Sequence, residues 1–486
     1  MQQRSSRKNL LLALLAAFSF GAALTSPASL SAQTYDIVIQ NGHVLDPESG
    51  LDAIRNVAIN GNRIAAISAQ PLTGRTTVDA TGLVVSPGFI DLHSHGQDAE
   101  NYRYKAMDGV TTALELEVGV WPVRQWYAAR EGKALINFGA SSGHIPARIS
   151  VMKDTGTWLP RDNAVTAIAT PAQQSEILKD VDEGLKQGGL GIGMGLAYTP
   201  TVSPEEALNL FYLAAKWKRP VFVHMRYPGI LTPGVIDSLQ EMISDATITG
   251  APVHIVHINS MAATKTPVAL QMIEGAQAHG LDITTEAYPY IAGATRLESN
   301  VFNPGWQKQL GITYSDLMWV ATGERLTEES FNRYRKQGGS VIIFSNTEPM
   351  IRAVMADPHV LIASDGLMSD GAGHPRSAGT YSRVLGVYVR QQKVLTLMEA
   401  IRRSSLAPAQ RLEAFTPQMK NKGRIKIGAD ADIDVFDPTQ VIDKATFQHP
   451  AQYSYGFRYV LVGGTFVVRN GKLDETTLPG KPIRAQ

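Results

Sequence analysis

None of the 486 residues is cysteine. That absence excludes disulfide staples, a thiol nucleophile, thiolate metal ligands and lipid anchoring through a cysteine. An excess charge of either sign is also missing, because Lys+Arg 45 against Asp+Glu 44 leaves a formal +1. Such balance gives no electrostatic footprint for nucleic acid or an anionic membrane, and points to a small-molecule substrate. A membrane-spanning run is lacking too. The apolar stretch Leu10 to Leu24 is short and is broken by Ser26-Pro27, so it predicts no stable membrane anchor. No oligomeric state is signalled.

What is present begins with a leader. Arg4, Arg7 and Lys8 precede that apolar stretch, and the small residues Ala28 to Ala32 follow it. The pattern predicts a Sec-type signal peptide over 1–32 and an exported protein, periplasmic or secreted. Residues 33–85 read as short β, with Tyr35 to Ile39 and Asn56 to Ile59 as strands and Asn41-Gly42 and Asn60-Gly61 as turns. A similar pattern returns over 421–486, in Ala431 to Phe436, Tyr459 to Val462 and Phe466 to Val468. Two β-rich ends suggest one small domain built from both. Between them, 86–420 alternates strands and helices, as parallel βαβ units do. Thr170-Pro171 and Ser203-Pro204 each start a helix, with a capping hydroxyl followed by proline at the first helical position. The stretch 295–340 breaks this rhythm and reads as an insertion or lid.

In a parallel β/α barrel, chemistry gathers where strands end. The run Val84 to His95 reads as a buried strand, with alternation placing Asp91, His93 and His95 on one face. The next strand, Gly109 to Glu117, carries Glu115 and Glu117 among apolar residues. A carboxylate there is costly unless compensated; an interior salt bridge suits Glu115, a metal Glu117. Val221 to His224 and Pro252 to His257 are apolar strands ending in histidine. In the latter, His254 has opposite parity and reads as packed against helices. Val360 to Asp365 ends in a carboxylate. Together His93, His95, Glu117, His224 and His257 form an imidazole and carboxylate set suited to Zn²⁺, as one or two ions. Asp365 is then the proton carrier for hydrolysis. No lysine at a strand end offers itself as a bridging ligand.

The chain resembles the amidohydrolase superfamily in Pro87 to His95 and in Gly423 to Asp432. It is most similar to the D-aminoacylase branch, in Ser142-Gly143-His144 with Arg148, Gly195 to Pro200, Tyr288 to Thr295 and His374 to Gly386. That resemblance implies an α/β fold, a metal-bearing (β/α)8 TIM barrel with a small composite β-sandwich. It implies hydrolysis of an N-acyl-D-amino acid, with a cyclic amidase, dipeptidase, lactonase or non-catalytic binding protein as rivals. Tyr198, Tyr288, Arg376, Arg296 and His144 become substrate-binding candidates, although the tyrosines could equally be loop packing and His144 an interior hydrogen-bonding residue. Arg376 suits bidentate carboxylate recognition; Arg226 reads as an ion-pair partner and His374 as a loop-positioning residue. Three departures stand out. The branch bridges its metals with a cysteine, here replaced by Glu117 or Glu115; a substrate-gripping lysine is Asn259, and a serine is Ala294.

Overall fold

The computed structural model describes residues 34–486. The predicted signal peptide lies outside the described residues. No described helix is long and apolar enough to cross a membrane.

Eight parallel strands form the barrel: β1 (Phe89–Asp91), β2 (Val110–Val120), β3 (Asn137–Gly143), β4 (Ile192–Gly195), β5 (Val221–His224), β6 (Val253–Ile255), β7 (Ile283–Ala287) and β8 (Val360–Ile362). Their order in the sheet follows the chain. Backbone bonds beyond the strand ends join the first to the last, Asp365 N donating to His93 O at 2.7 Å and His95 N to Gly366 O at 3.0 Å. Helices cover the outside, where Val221, Val223, Val253 and Ile255 pack into the largest apolar cluster. The helix Pro171–Lys186 starts in a capping box made by Thr170 and Gln173, and Pro204–Trp217 starts on the Ser203 hydroxyl, both as the sequence predicts.

The second layer is a nine-stranded sheet made from both chain ends. Val84–Pro87 joins them, pairing parallel with Thr34–Asp46 and antiparallel with Ile433–Phe436. Ile39, Val57, Val85, Ile433 and Leu461 share its core. Two local expectations fail here. The run Val84 to His95 is not one strand: it divides at Gly88, whose absent Cβ would stand 2.3 Å from Thr111, into a strand of each domain. Asn41-Gly42 is a bulge inside Thr34–Asp46 and not a hairpin turn, with Asn41 at φ 58°. The interrupting stretch forms a small sheet with a core of its own. Gly293–Arg296, Leu317–Trp319 and Ser340–Ile343 pair antiparallel, over a core that includes Trp306, Trp319 and Phe331.

In the sheet, Asp434 is fully buried and neither carboxylate oxygen meets a donor in bonding geometry. Burial, reinforced by the charges of Asp108 and Asp432, pushes its carboxyl well above the usual range. A value raised on folding gives stability that is full below the ordinary carboxylate pKa and lost as pH rises through the raised one. Asp434→Asn should therefore match the wild type near pH 4 and exceed it by about 1–3 kcal/mol at pH 8, the cost of an unsatisfied buried group. Paired thermal melts at the two pH values check this.

Candidate metal centre and active site

Glu117 stands at the middle of the barrel mouth, 2% exposed. Its Oε2 lies 3.3 Å from His93 Nε2 and 3.1 Å from His95 Nε2. Its Oε1 lies 3.0 Å from His224 Nδ1 and 3.9 Å from His257 Nε2. One carboxylate thus faces two histidine pairs, each oxygen turned to a different pair. Asp365 completes the ring, Oδ1 standing 3.3 Å from His95 Nε2 and 3.5 Å from His93 Nε2.

These residues fit a divalent cation. Ligands on tetrahedral bonds of about 2.0–2.1 Å stand about 3.3 Å apart, and most separations within the cluster are of that size. His93 Nε2 and His95 Nε2 face each other at 3.1 Å, a contact between two like nitrogens that a shared positive centre would relieve. The cluster also calls for positive charge. Burial disfavours a charged His93, yet Asp365, Glu286 and Glu117 outweigh it and push its imidazole up to about 10. Burial opposes ionisation of Glu117 as well, but hydrogen bonds from the four histidines hold it well below the usual carboxylate range. His93, His95 and Glu117 form one candidate ligand group and Glu117, His224 and His257 another, so Glu117 can bridge two ions.

Local structure aims the set. β5 ends inward at His224, as alternation requires. β6 stops at Ile255, and His257 turns back to the cluster in a left-handed conformation at φ 34°. Strand parity therefore does not place it. His254, expected against the helices, is a correction: its Nε2 lies 3.0 Å from Glu286 Oε2, while Glu286 Oε1 accepts from His93 Nδ1 at 2.6 Å. His95 Nδ1 is held in the same way by Glu115 Oε2 at 2.9 Å. Each of these two histidines is thus oriented from behind by a carboxylate. Asp91 does not share their face. It pairs with Lys105 Nζ at 2.7 Å and accepts from Ser364 N at 3.0 Å, locking the start of the cluster to the strand that delivers Asp365. Glu286 and Lys105 escaped the sequence reading. Glu286 closes β7 as Glu117 closes the apolar stretch of β2, a signal the same argument could have caught.

A cavity opens over the cluster, lined by His95, Glu117, His224, His257 and Asp365 together with Tyr198, Tyr288, Arg376 and apolar side chains. Arg376 NH2 lies 2.8 Å from Asp365 Oδ2, and its guanidinium stacks 4.4 Å above the Tyr288 ring. Arg376 Nε and NH1 are buried without partners, and the buried Tyr288 hydroxyl stands near Ser260 and Asn346. His374 positions this loop, donating from Nε2 to Ala292 O at 2.9 Å and accepting from Arg376 N at 3.0 Å. Tyr198 packs against His224, ring centroids 4.7 Å apart and tilted by 52°, and its hydroxyl bonds with that of Thr295. Ala294 lines the cavity, whereas Asn259 is spent beneath Tyr288 O.

Two substrate-binding expectations are overturned. His144 lies away from the cavity, its Nε2 3.0 Å from Glu206 Oε1, and Arg148 clamps that same carboxylate. Arg296 turns to Glu298 at 2.8 Å and lines a separate crevice with Arg161. Arg226 is an ion-pair partner as read, of Glu241 at 2.7 Å.

This barrel, its composite sheet and its histidine and carboxylate mouth define a metal-dependent hydrolase class. The chain belongs to the amidohydrolase family, whose model matches residues 76–170 and 205–468. It is 28% identical over 480 residues to an N-acyl-D-glutamate deacylase of Alcaligenes xylosoxydans xylosoxydans, covering 89% of this chain and 93% of that protein. A D-aminoacylase of the same organism is 27% identical over 481 residues, covering 89% and 94%. The crystal structure of N-acyl-D-glutamate deacylase from Bordetella bronchiseptica, complexed with zinc and a phosphonate mimic of the tetrahedral intermediate, superposes with a TM-score of 0.79. It shares 26% identity, covering 93% of this chain and 100% of that one.

The carboxylate behind His93 gives a direct test. Glu286→Gln keeps the side-chain size but weakens the hold on the ring, and should lower metal affinity about 10–100-fold. Equilibrium dialysis against Zn²⁺, with circular dichroism to confirm the fold, measures it.

Proposed function

We propose that this chain hydrolyses the amide bond of an N-acyl-D-amino acid, using Zn²⁺ held by His93, His95, Glu117, His224 and His257. The observation that carries this reading is the juxtaposition of the Glu117 cluster with the Asp365–Arg376 pair under one cavity. The metal, when bound, supplies an acidified water and polarises the scissile carbonyl.

The chain's own groups do the rest. Asp365 Oδ1 faces the cluster and Oδ2 faces Arg376. From that position it accepts a proton from the attacking water and returns it to the departing nitrogen. Arg376 keeps Nε and NH1 without partners, with Tyr288 stacked beside it. An open nitrogen of a guanidinium already anchored on Asp365 can donate a charge-assisted hydrogen bond to a substrate carboxylate, in place of the lysine and serine of the resembling branch. Trp158 and Leu159 wall the cavity beside His95.

The D preference rests on the relatives, both named for D-amino-acid substrates. It is tested by amine release from N-acetyl-D- and N-acetyl-L-amino acids. Turnover of the D series alone is expected, and Asp365→Asn should lower kcat by about 10²–10⁴. Arg376→Lys should raise KM more than it lowers kcat, because a single ammonium lacks the separate, fixed donors that serve Asp365 and a substrate carboxylate. Absence of turnover on either enantiomer by metal-loaded protein would overturn the reading in favour of cyclic amides, dipeptides or lactones.

Export belongs to the same proposal and rests on the leader pattern. Amino-terminal sequencing of protein recovered outside the cytoplasm should begin near Gln33.

A further inference from the structure

The cavity does not end at the metal cluster. Pro228, Val301 and Leu310, which line it, also line an adjoining groove that continues over Ala197, Tyr227 and Trp306. Apart from Tyr227, the polar side chains along this groove are largely spent within the protein. Arg226 is engaged by Glu241 and by Val202 O at 2.7 Å. Gln309 Nε2 donates to Pro228 O at 2.7 Å and to Pro233 O at 2.9 Å, and Asn300 Nδ2 donates to Ala197 O at 3.1 Å. What remains for a ligand is apolar surface. Tyr227, on the turn after β5, lines this groove and is 38% exposed.

Topology decides what enters. Arg376, the proposed carboxylate grip, and Tyr288 stacked beside it stand on the loops after β8 and β7. The groove leaves over the turn after β5, three strands from β8 around the ring. A substrate held by its carboxylate at Arg376, with its amide over Glu117, points its acyl group across the cluster toward β5. Resting on the deacylase reading, we infer that the groove is an acyl-chain subsite and that this chain acts on N-acyl amino acids with long alkyl acyl groups.

The test compares kcat/KM of the metal-loaded mature protein on N-acetyl-, N-octanoyl- and N-dodecanoyl-D-alanine, with N-acetyl-D-amino acids of growing side chain as a parallel series. Lengthening the acyl chain should raise kcat/KM by about tenfold or more, through KM, since each buried methylene adds binding. Tyr227→Asp and Tyr227→Ser should each abolish that gain and leave N-acetyl turnover unchanged. Equal or poorer use of long acyl chains overturns the inference. So does a gain retained in both variants, or one that follows side-chain length in place of acyl length. Titration of N-dodecanoyl-D-alanine into Asp365→Asn separates the two claims. Chain-dependent binding by a protein whose wild type hydrolyses no N-acyl amino acid would sink the deacylase reading and keep the subsite. Binding that does not depend on chain length would sink the subsite.

Discussion

An ionised carboxylate buried in an apolar strand is the constraint around which this molecule is arranged. Removing Glu117 from water carries a penalty of several kcal/mol that no single partner would offset. The barrel meets it with histidines from three strands, His93 and His95 after β1, His224 on β5 and His257 after β6. Those histidines are costly in turn, and two of them are backed by further carboxylates, Glu286 and Glu115. The result is a nested set of charges that either protons on the histidines or a cation among them can balance.

The ring has two functional halves, and closure of the barrel keeps them apart. Asp91 ties Lys105, Ser364 and the start of the cluster together at the joint between β1 and β8. The backbone bond from Asp365 N to His93 O sets the proton carrier against the metal ligands at that joint. Arg376 and its stacked partner Tyr288 occupy the same side. The opposite side carries no free charge: Arg226 is consumed by Glu241, and the interrupting stretch is fastened to the β5 turn through Gln309. Charge on one side and apolar surface on the other give the cavity a direction, and a substrate with a carboxylate at one end and hydrocarbon at the other matches it.

The sequence read best where a physical rule acts locally. Apolar runs ending in His224 or Asp365, and hydroxyl-proline starts such as Thr170-Pro171, survive in the fold because alternation and capping need only neighbouring residues. The rules failed where the backbone departs from regularity. His257 faces the metal site through a left-handed φ after its strand has ended, so parity alone pointed His254 the wrong way. Gly88 divides a continuous apolar run between two domains because Thr111 packs against its Cα, a long-range contact invisible in the local pattern. His144 and Arg296 carried site-like chemistry, but distant or neighbouring carboxylates, Glu206 and Glu298, had already claimed them. Glu286 was overlooked because its role comes from His93, almost two hundred residues earlier, at a separation of 193.

Replacing the branch's bridging cysteine with Glu117 changes more than the ligand atom. A thiolate joins two ions through one sulfur, whereas a carboxylate uses two oxygens, and here each already faces its own histidine pair. The two candidate ligand groups are therefore set apart by the width of a carboxylate. An oxygen bridge is also a harder donor, better matched to Zn²⁺ with imidazoles than to softer ions. It carries no thiol to be oxidised to a sulfenate or captured in a disulfide. A protein exported as proposed meets oxidising surroundings, and a site made only of imidazole and carboxylate loses nothing there. The absence of cysteine from the whole chain and the glutamate at the centre of its metal site are in that sense one design choice.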